Sequence, residues 1–145
     1  MISKSIKETE GIAERFLEAT SKNRSASFAT VVGLHGDLGA GKTAFTKCVA
    51  KILGVKEEIT SPTFVIEKIY PLSNQLFANL IHIDAYRLEK GEEILNLNWK
   101  EICADSKNLI LIEWPENVAD VMPKNYIKIN FKFVDENTRE IKMEL

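Results

Sequence analysis

The sequence predicts an α/β fold: a single phosphate-loop nucleotide-binding domain over residues 1–145, with a mixed sheet that is parallel at its centre, antiparallel at its margins and flanked by helices. Three observations predict it. A glycine-rich loop joins an apolar, β-branched segment to a helical pattern. Strand and helix patterns alternate in the first half, and paired strand patterns close the chain. The length suits one core, and 45% hydrophobic with 28% charged residues is the balance of an ordinary globular protein.

Taken in order, the first element is a helix. Ser5 with Glu8 fits a capping box, and Ile12, Ala13, Phe16 and Leu17 recur at helical spacing. Asn23-Arg24-Ser25 reads as a turn, and Ser27 to Leu34 as a buried strand. After the glycine loop a helix runs from about Lys42 to Leu53, with Ala44, Phe45, Cys48, Val49 and Ile52 on one side and Gly54 placed to end it in a left-handed conformation. Phe64 to Tyr70 and Leu76 to Asp84 read as strands joined by a hairpin connection, Pro71 to Gln75. A single helix is expected over Glu92 to Ala104, then a short apolar strand, Asn108 to Glu113. Pro115 and Pro123 bracket an irregular or short helical segment, and Tyr126 to Val134 with Arg139 to Leu145 form a terminal hairpin about Asp135-Glu136-Asn137-Thr138.

The run Gly36-Asp37-Leu38-Gly39-Ala40-Gly41-Lys42-Thr43 matches G-x-x-x-x-G-K-[ST], the Walker A pattern, after a strand and opening a helix. Backbone N–H groups from Asp37 to Ala44 would cradle phosphates, helped by the positive end of the helix dipole. Lys42 would reach the β- and γ-phosphates, and the Thr43 hydroxyl would bind magnesium. Such a loop needs an acid at the end of a neighbouring strand, and two qualify: Asp84 after Leu80-Ile81-His82-Ile83, and Glu113 after Leu109-Ile110-Leu111-Ile112. At least one of the two is expected to hold magnesium and position the attacking water, and a nucleoside triphosphate with magnesium is the expected ligand.

Other positions leave alternatives open. Thr60-Ser61-Pro62-Thr63 reads either as a switch segment ordered by a γ-phosphate or as an ordinary turn. His82 reads as a core histidine rather than a base, and His35 as closing a strand-end hydrogen bond. Arg87 fits a surface salt bridge, a phosphate or a partner. Trp114 fits a core anchor, a lid or a docking residue. Cys48 and Cys103 form no disulfide framework or zinc pattern and are expected to be reduced thiols.

Composition and missing motifs weigh against several classes. With 19 Lys+Arg against 21 Asp+Glu and a net charge of -2, the chain lacks the basic surface for tight nucleic-acid binding on its own. No apolar run would span a bilayer or resemble a signal peptide, so a cytoplasmic location is expected. A GTPase would carry N-K-x-D, which is absent, and Arg87 stands where its switch glycine would follow Asp84. Arginines occur only at 15, 24, 87 and 139, too sparse for the lid of a small-molecule kinase.

Four blocks in order carry a resemblance: the phosphate loop, Thr60-Ser61-Pro62-Thr63-Phe64, His82-Ile83-Asp84-Ala85-Tyr86-Arg87-Leu88, and Ile112-Glu113-Trp114-Pro115-Glu116. Together they resemble the TsaE (YjeE) family, bacterial P-loop ATPases of tRNA threonylcarbamoyladenosine biosynthesis. The resemblance implies one α/β domain, Mg-ATP as ligand and weak ATPase activity in isolation. It implies TsaD and TsaB as partners, with tRNA, modified at adenosine 37, reached only through them. By motif position it carries the magnesium and hydrolytic roles to Lys42, Thr43, Asp84 and Glu113, the switch to Thr60 and Thr63, and places Trp114 on the functional surface. Ala85 falls at a variable position of its block. A metabolite kinase and a non-catalytic nucleotide-gated adaptor remain as alternatives.

Overall fold

The computed structural model describes residues 1–59, 67–73 and 76–145. Its seven-stranded sheet has the order β1-β7-β6-β2-β5-β4-β3. The central strands β2 (Thr30–His35), β5 (Asn108–Glu113), β4 (Asn79–Asp84) and β6 (Ile127–Asp135) run parallel. The antiparallel margins are β3 (Glu67–Pro71) on one side, and β7 (Thr138–Glu144) with β1 (Ile2–Ser3) on the other. This is the expected fold class. Central strands covered on both faces should be apolar throughout, and β5 is buried at every residue.

Helix α1 (Ile6–Lys22) and helix α2 (Lys42–Ile52) cover one face. Ser5 caps α1, its hydroxyl accepting from the Glu8 N–H at 3.2 Å. Glu8 returns the bond to the N–H of Lys4 at 2.6 Å rather than to Ser5, a capping box displaced by one residue. Phe16 of α1 meets Phe45 of α2, and Phe45 meets Phe131 of β6, each edge-on at 5.5 Å between ring centroids. That aromatic file locks both helices to the strand beside β2. Gly54 ends α2 in the left-handed region, as expected, whereas Ile52 is exposed.

The other face is covered by α3 (Gly91–Leu95), α4 (Trp99–Cys103) and the 3-10 segment Pro115–Val121. Here one expectation fails. The helix foreseen over Glu92 to Ala104 is two short helices, because Asn98 sits between them at φ 58°, ψ 35°. That left-handed break turns Trp99 inward, where its indole N–H donates to the Val121 carbonyl at 3.0 Å. Asn is among the few side chains that tolerate the conformation, and a helical-periodicity argument does not register it.

Smaller differences have local causes. The strand expected from Ser27 begins at Thr30, because the Ser27 N–H is taken by Ser25 Oγ at 3.0 Å and Phe28 is exposed. The strand expected from Leu76 begins at Asn79, since the Ala78 N–H bonds the Lys107 carbonyl instead. The terminal hairpin is tighter than foreseen, with Glu136-Asn137 between paired Asp135 and Thr138. Strand β1, only two residues long, is below the reach of any periodicity and is held by Met1 and Ile141 exchanging backbone bonds. Among the described residues no helix is long and apolar enough to cross a membrane.

Replacing Asn98 by valine puts a β-branched side chain into the left-handed region. It should lower unfolding stability by about 1–2 kcal/mol, while Asn98→Gly should change it far less. Urea denaturation with unchanged m-values checks this; equal stability of the valine variant would show that the break is not held by Asn98.

Candidate functional site

Strand alternation decides where the acids point. In β4, Leu80 packs on the face covered by α1 and α2, while Ile81 and Ile83 pack on the other. In β5, Leu109 and Leu111 pack on the α1/α2 face and Ile110 and Ile112 opposite. His82, Asp84 and Glu113 fall in the phase of the first set, so they lie on the side of the phosphate-loop helix. The parallel register pairs Asp84 with Glu113, and Glu113 with Leu34 two residues before the loop. Both acids therefore stand at the carboxyl edge of the sheet beside the loop.

The loop departs from β2 at Gly36, where any Cβ would lie 2.6 Å from the Phe131 carbonyl. Gly41, at φ 106°, then turns the chain into α2. In contrast to α1, α2 has no side-chain cap and no acid in its first turn. Its first N–H groups and dipole are thus directed into a cavity of about 390 Å³, a size suited to small-molecule ligands.

That cavity brings together Leu38, Gly39, Gly41, Lys42, Thr43 and Ala44 with Asp84 and Glu113. Tyr86, Trp114 and Arg139 complete its wall. Of the predicted loop residues, Ala40 is instead buried in the core and Asp37 is exposed beyond the wall. Arg87 is exposed and does not line the cavity. The expected switch residues Thr60 and Thr63 lie outside the described residues.

Within the cavity the groups are already engaged. Thr43 Oγ1 donates toward Glu113, 3.3 Å from Oε1 and 3.4 Å from Oε2. Asp84 Oδ1 accepts from the Tyr86 N–H at 2.9 Å, fixing that carboxylate over the turn leaving β4. Lys42 donates to the Gly36 carbonyl, and its ammonium lies 3.8 Å from the centroid of the Trp114 ring. Burial holds the Lys42 pKa below its ordinary value, opposed by Glu113, Glu116, Asp84 and Asp37.

Trp114 has φ 59° and ψ 48°, left-handed backbone that a bulky side chain enters only under constraint. The kink carries its ring over Lys42 and against Tyr86, 5.2 Å between centroids. Trp114 thus forms part of the cavity wall while its other side packs on the core beneath. His35 behaves as expected of a strand-end group, with Nε2 3.2 Å from the Tyr126 hydroxyl and Nδ1 3.3 Å from Glu116. Burial lowers its pKa, with Glu116 opposing the shift.

Two residues of this neighbourhood escaped the sequence reading. His82 is a core histidine by burial, yet its Nε2 lies 2.7 Å from Glu113 Oε2. Its sequence signals were its place at the head of the His82-Ile83-Asp84 block and its period-two spacing from Asp84. Arg139 reaches the loop from β7, donating to the Gly39 carbonyl at 3.2 Å. A lone arginine a hundred residues downstream carries no local signal of that contact. Cys48 and Cys103 are free thiols, and burial pushes Cys103 up to about 12, which suits inert reduced cysteines.

A divalent cation fits the donor chemistry. Hydroxyl and carboxylate oxygens from Thr43, Asp84 and Glu113 border one cavity. Among the described residues there is no cluster of three or more His, Cys, Asp or Glu that would form an all-protein cage. Few protein oxygens, completed by phosphates and water, is how magnesium is usually held.

Residues 3–141 match the family model described as "Threonylcarbamoyl adenosine biosynthesis protein TsaE". The tRNA threonylcarbamoyladenosine biosynthesis protein TsaE of Rickettsia typhi is 39% identical over 134 residues, covering 92% of this chain and 85% of that protein. Its Bacillus subtilis counterpart is 38% identical over 120 residues, covering 81% and 72%. The crystal structure of Bacillus subtilis YdiB superposes with a TM-score of 0.71 at 30% identity, covering 97% of this chain and 80% of that one.

The contact between Lys42 and Trp114 makes the cavity optically readable. In a Trp99→Phe variant, which leaves Trp114 as the sole tryptophan, Mg-ATP should draw Lys42 off the ring and change its emission. The same titration of a variant also carrying Lys42→Ala should be flat. Unchanged emission while calorimetry records binding to the Trp99→Phe protein would refute that displacement.

Proposed function

Because the chain belongs to the TsaE family, whose members serve tRNA threonylcarbamoyladenosine biosynthesis, we propose that it is a magnesium-dependent ATPase that drives turnover of the modification machinery. One observation carries the reading: Lys42 and Thr43, at the uncapped start of α2, share a cavity with the buried strand-end acids Asp84 and Glu113. Loop N–H groups would hold the phosphates, and the Lys42 ammonium would neutralise the β- and γ-oxygens. Thr43 and Asp84 would hold magnesium, with Glu113 adjoining; when bound, the ion neutralises charge developing on the phosphates. Glu113, beside the Thr43 hydroxyl, would orient the attacking water and take up its proton. Adenine is favoured over guanine, since the chain has no acid motif that reads guanine.

TsaD and TsaB are the proposed partners, with tRNA reached only through them. The near-neutral charge supports indirect rather than direct contact with RNA. Tyr86, 45% exposed beside Trp114 at the cavity mouth, together with neighbouring Arg87, forms the proposed face through which nucleotide state is sensed.

Multiple-turnover threonylcarbamoyl transfer by TsaD and TsaB should rise on adding this protein with Mg-ATP, and not on adding Lys42→Ala. The Lys42 variant should stay folded and lose triphosphate affinity. Asp84→Ala and Glu113→Ala should lower ATP turnover by about 100- to 1,000-fold, while Mg-ATP affinity falls much less. No ATP-dependent gain, together with no binding to TsaB–TsaD in any nucleotide state, would defeat the functional reading. Wild-type turnover in both acid variants would defeat the site assignment.

A further inference from the structure

His82 precedes Asp84 by two residues on β4, and its register partner Leu111 precedes Glu113 by two on β5. The imidazole therefore lies one step deeper than the acids on the same face, fully buried. Its Nε2 is 2.7 Å from Glu113 Oε2. A carboxylate oxygen accepts, so the bond forms with the tautomer in which Nε2–H donates. Nδ1 has no hydrogen-bond partner among the described residues. An apolar side chain would fill the same space without burying an unpaired nitrogen, so packing alone does not account for the imidazole.

The other donor to Glu113 is weaker. Thr43 Oγ1 approaches at 3.3–3.4 Å, and its oxygen is the atom that would also meet magnesium. The bond from His82 is shorter, buried and made by a residue outside the cavity wall. Among the described residues it is the shortest hydrogen bond to Glu113. We propose that His82 is a positioning residue: its Nε2–H pins one oxygen of Glu113 and so aims the carboxylate at Thr43 and the cavity. This rests on the reading of Glu113 as the carboxylate that orients water.

Two substitutions separate positioning from packing. The side-chain nitrogen of asparagine overlies the imidazole Nδ1 position, whereas that of glutamine reaches the Nε2 position. His82→Gln should keep ATP turnover within about 3-fold of wild type. His82→Asn should lower kcat by about 10- to 100-fold, with Mg-ATP affinity by calorimetry within about 3-fold. In a Glu113→Ala background His82→Asn should cost nothing further, because the group it positions is gone. Three results would each overturn the proposal: wild-type kcat in His82→Asn, equal losses in the two variants, or an undiminished loss in the Glu113→Ala background.

If the wild-type protein hydrolyses no ATP even with its partners, the ATPase reading fails by itself. Imidazole ¹⁵N spectra then decide the bond. An Nε2-protonated His82 whose signal shifts in Glu113→Ala supports it, and an identical signal in both proteins overturns it.

Discussion

A carboxylate at the end of a fully buried apolar strand is costly unless donors surround it. Glu113, 4% exposed, meets that condition through the pairing of β5 with β2 and β4. The neighbour on one side supplies the loop, and through it the Thr43 hydroxyl. The neighbour on the other supplies His82. Slipping β4 by one residue would turn His82 to the opposite face and leave the carboxylate without that donor. The register of three parallel strands and the chemistry of the site are thus one constraint.

Other features follow from holding that edge in place. The aromatic file Phe16–Phe45–Phe131 fixes α2 against the sheet, which sets where its first turn points. Phe131 also supplies the carbonyl that leaves no room for a side chain at Gly36. Beyond Glu113 the chain enters left-handed backbone at Trp114, and the ring folds back over Lys42. Strain of that kind persists only where the surroundings impose it. Here it sets the indole against the loop lysine in the cavity wall.

How much of this was legible in the sequence varies with the range of the interaction. Strand β5 and the start of α2 could be read to the residue, because a continuous apolar run and a loop motif are local signals. The parallel centre followed from alternation of elements, and strand-ending position alone selected Asp84 and Glu113. What escaped depended on distant partners or on single-residue conformation. Asn98 divides a periodic helix by adopting one left-handed residue. Arg139 meets Gly39 only because β7 folds back beside the loop. His82 looked like core because it is core; its bond to Glu113 exists only through the β4–β5 register.

The cavity beneath Trp114 is proposed as a Mg-ATP site organised around Glu113. Its most direct test is a crystal structure with magnesium and a non-hydrolysable ATP analogue. Lys42 should leave the indole for the β- and γ-phosphates. The metal should rest on Thr43 Oγ1 beside the two carboxylates, with the bond from His82 to Glu113 kept. A nucleotide bound away from the loop, or a metal with no contact to Thr43, Asp84 or Glu113, would contradict it.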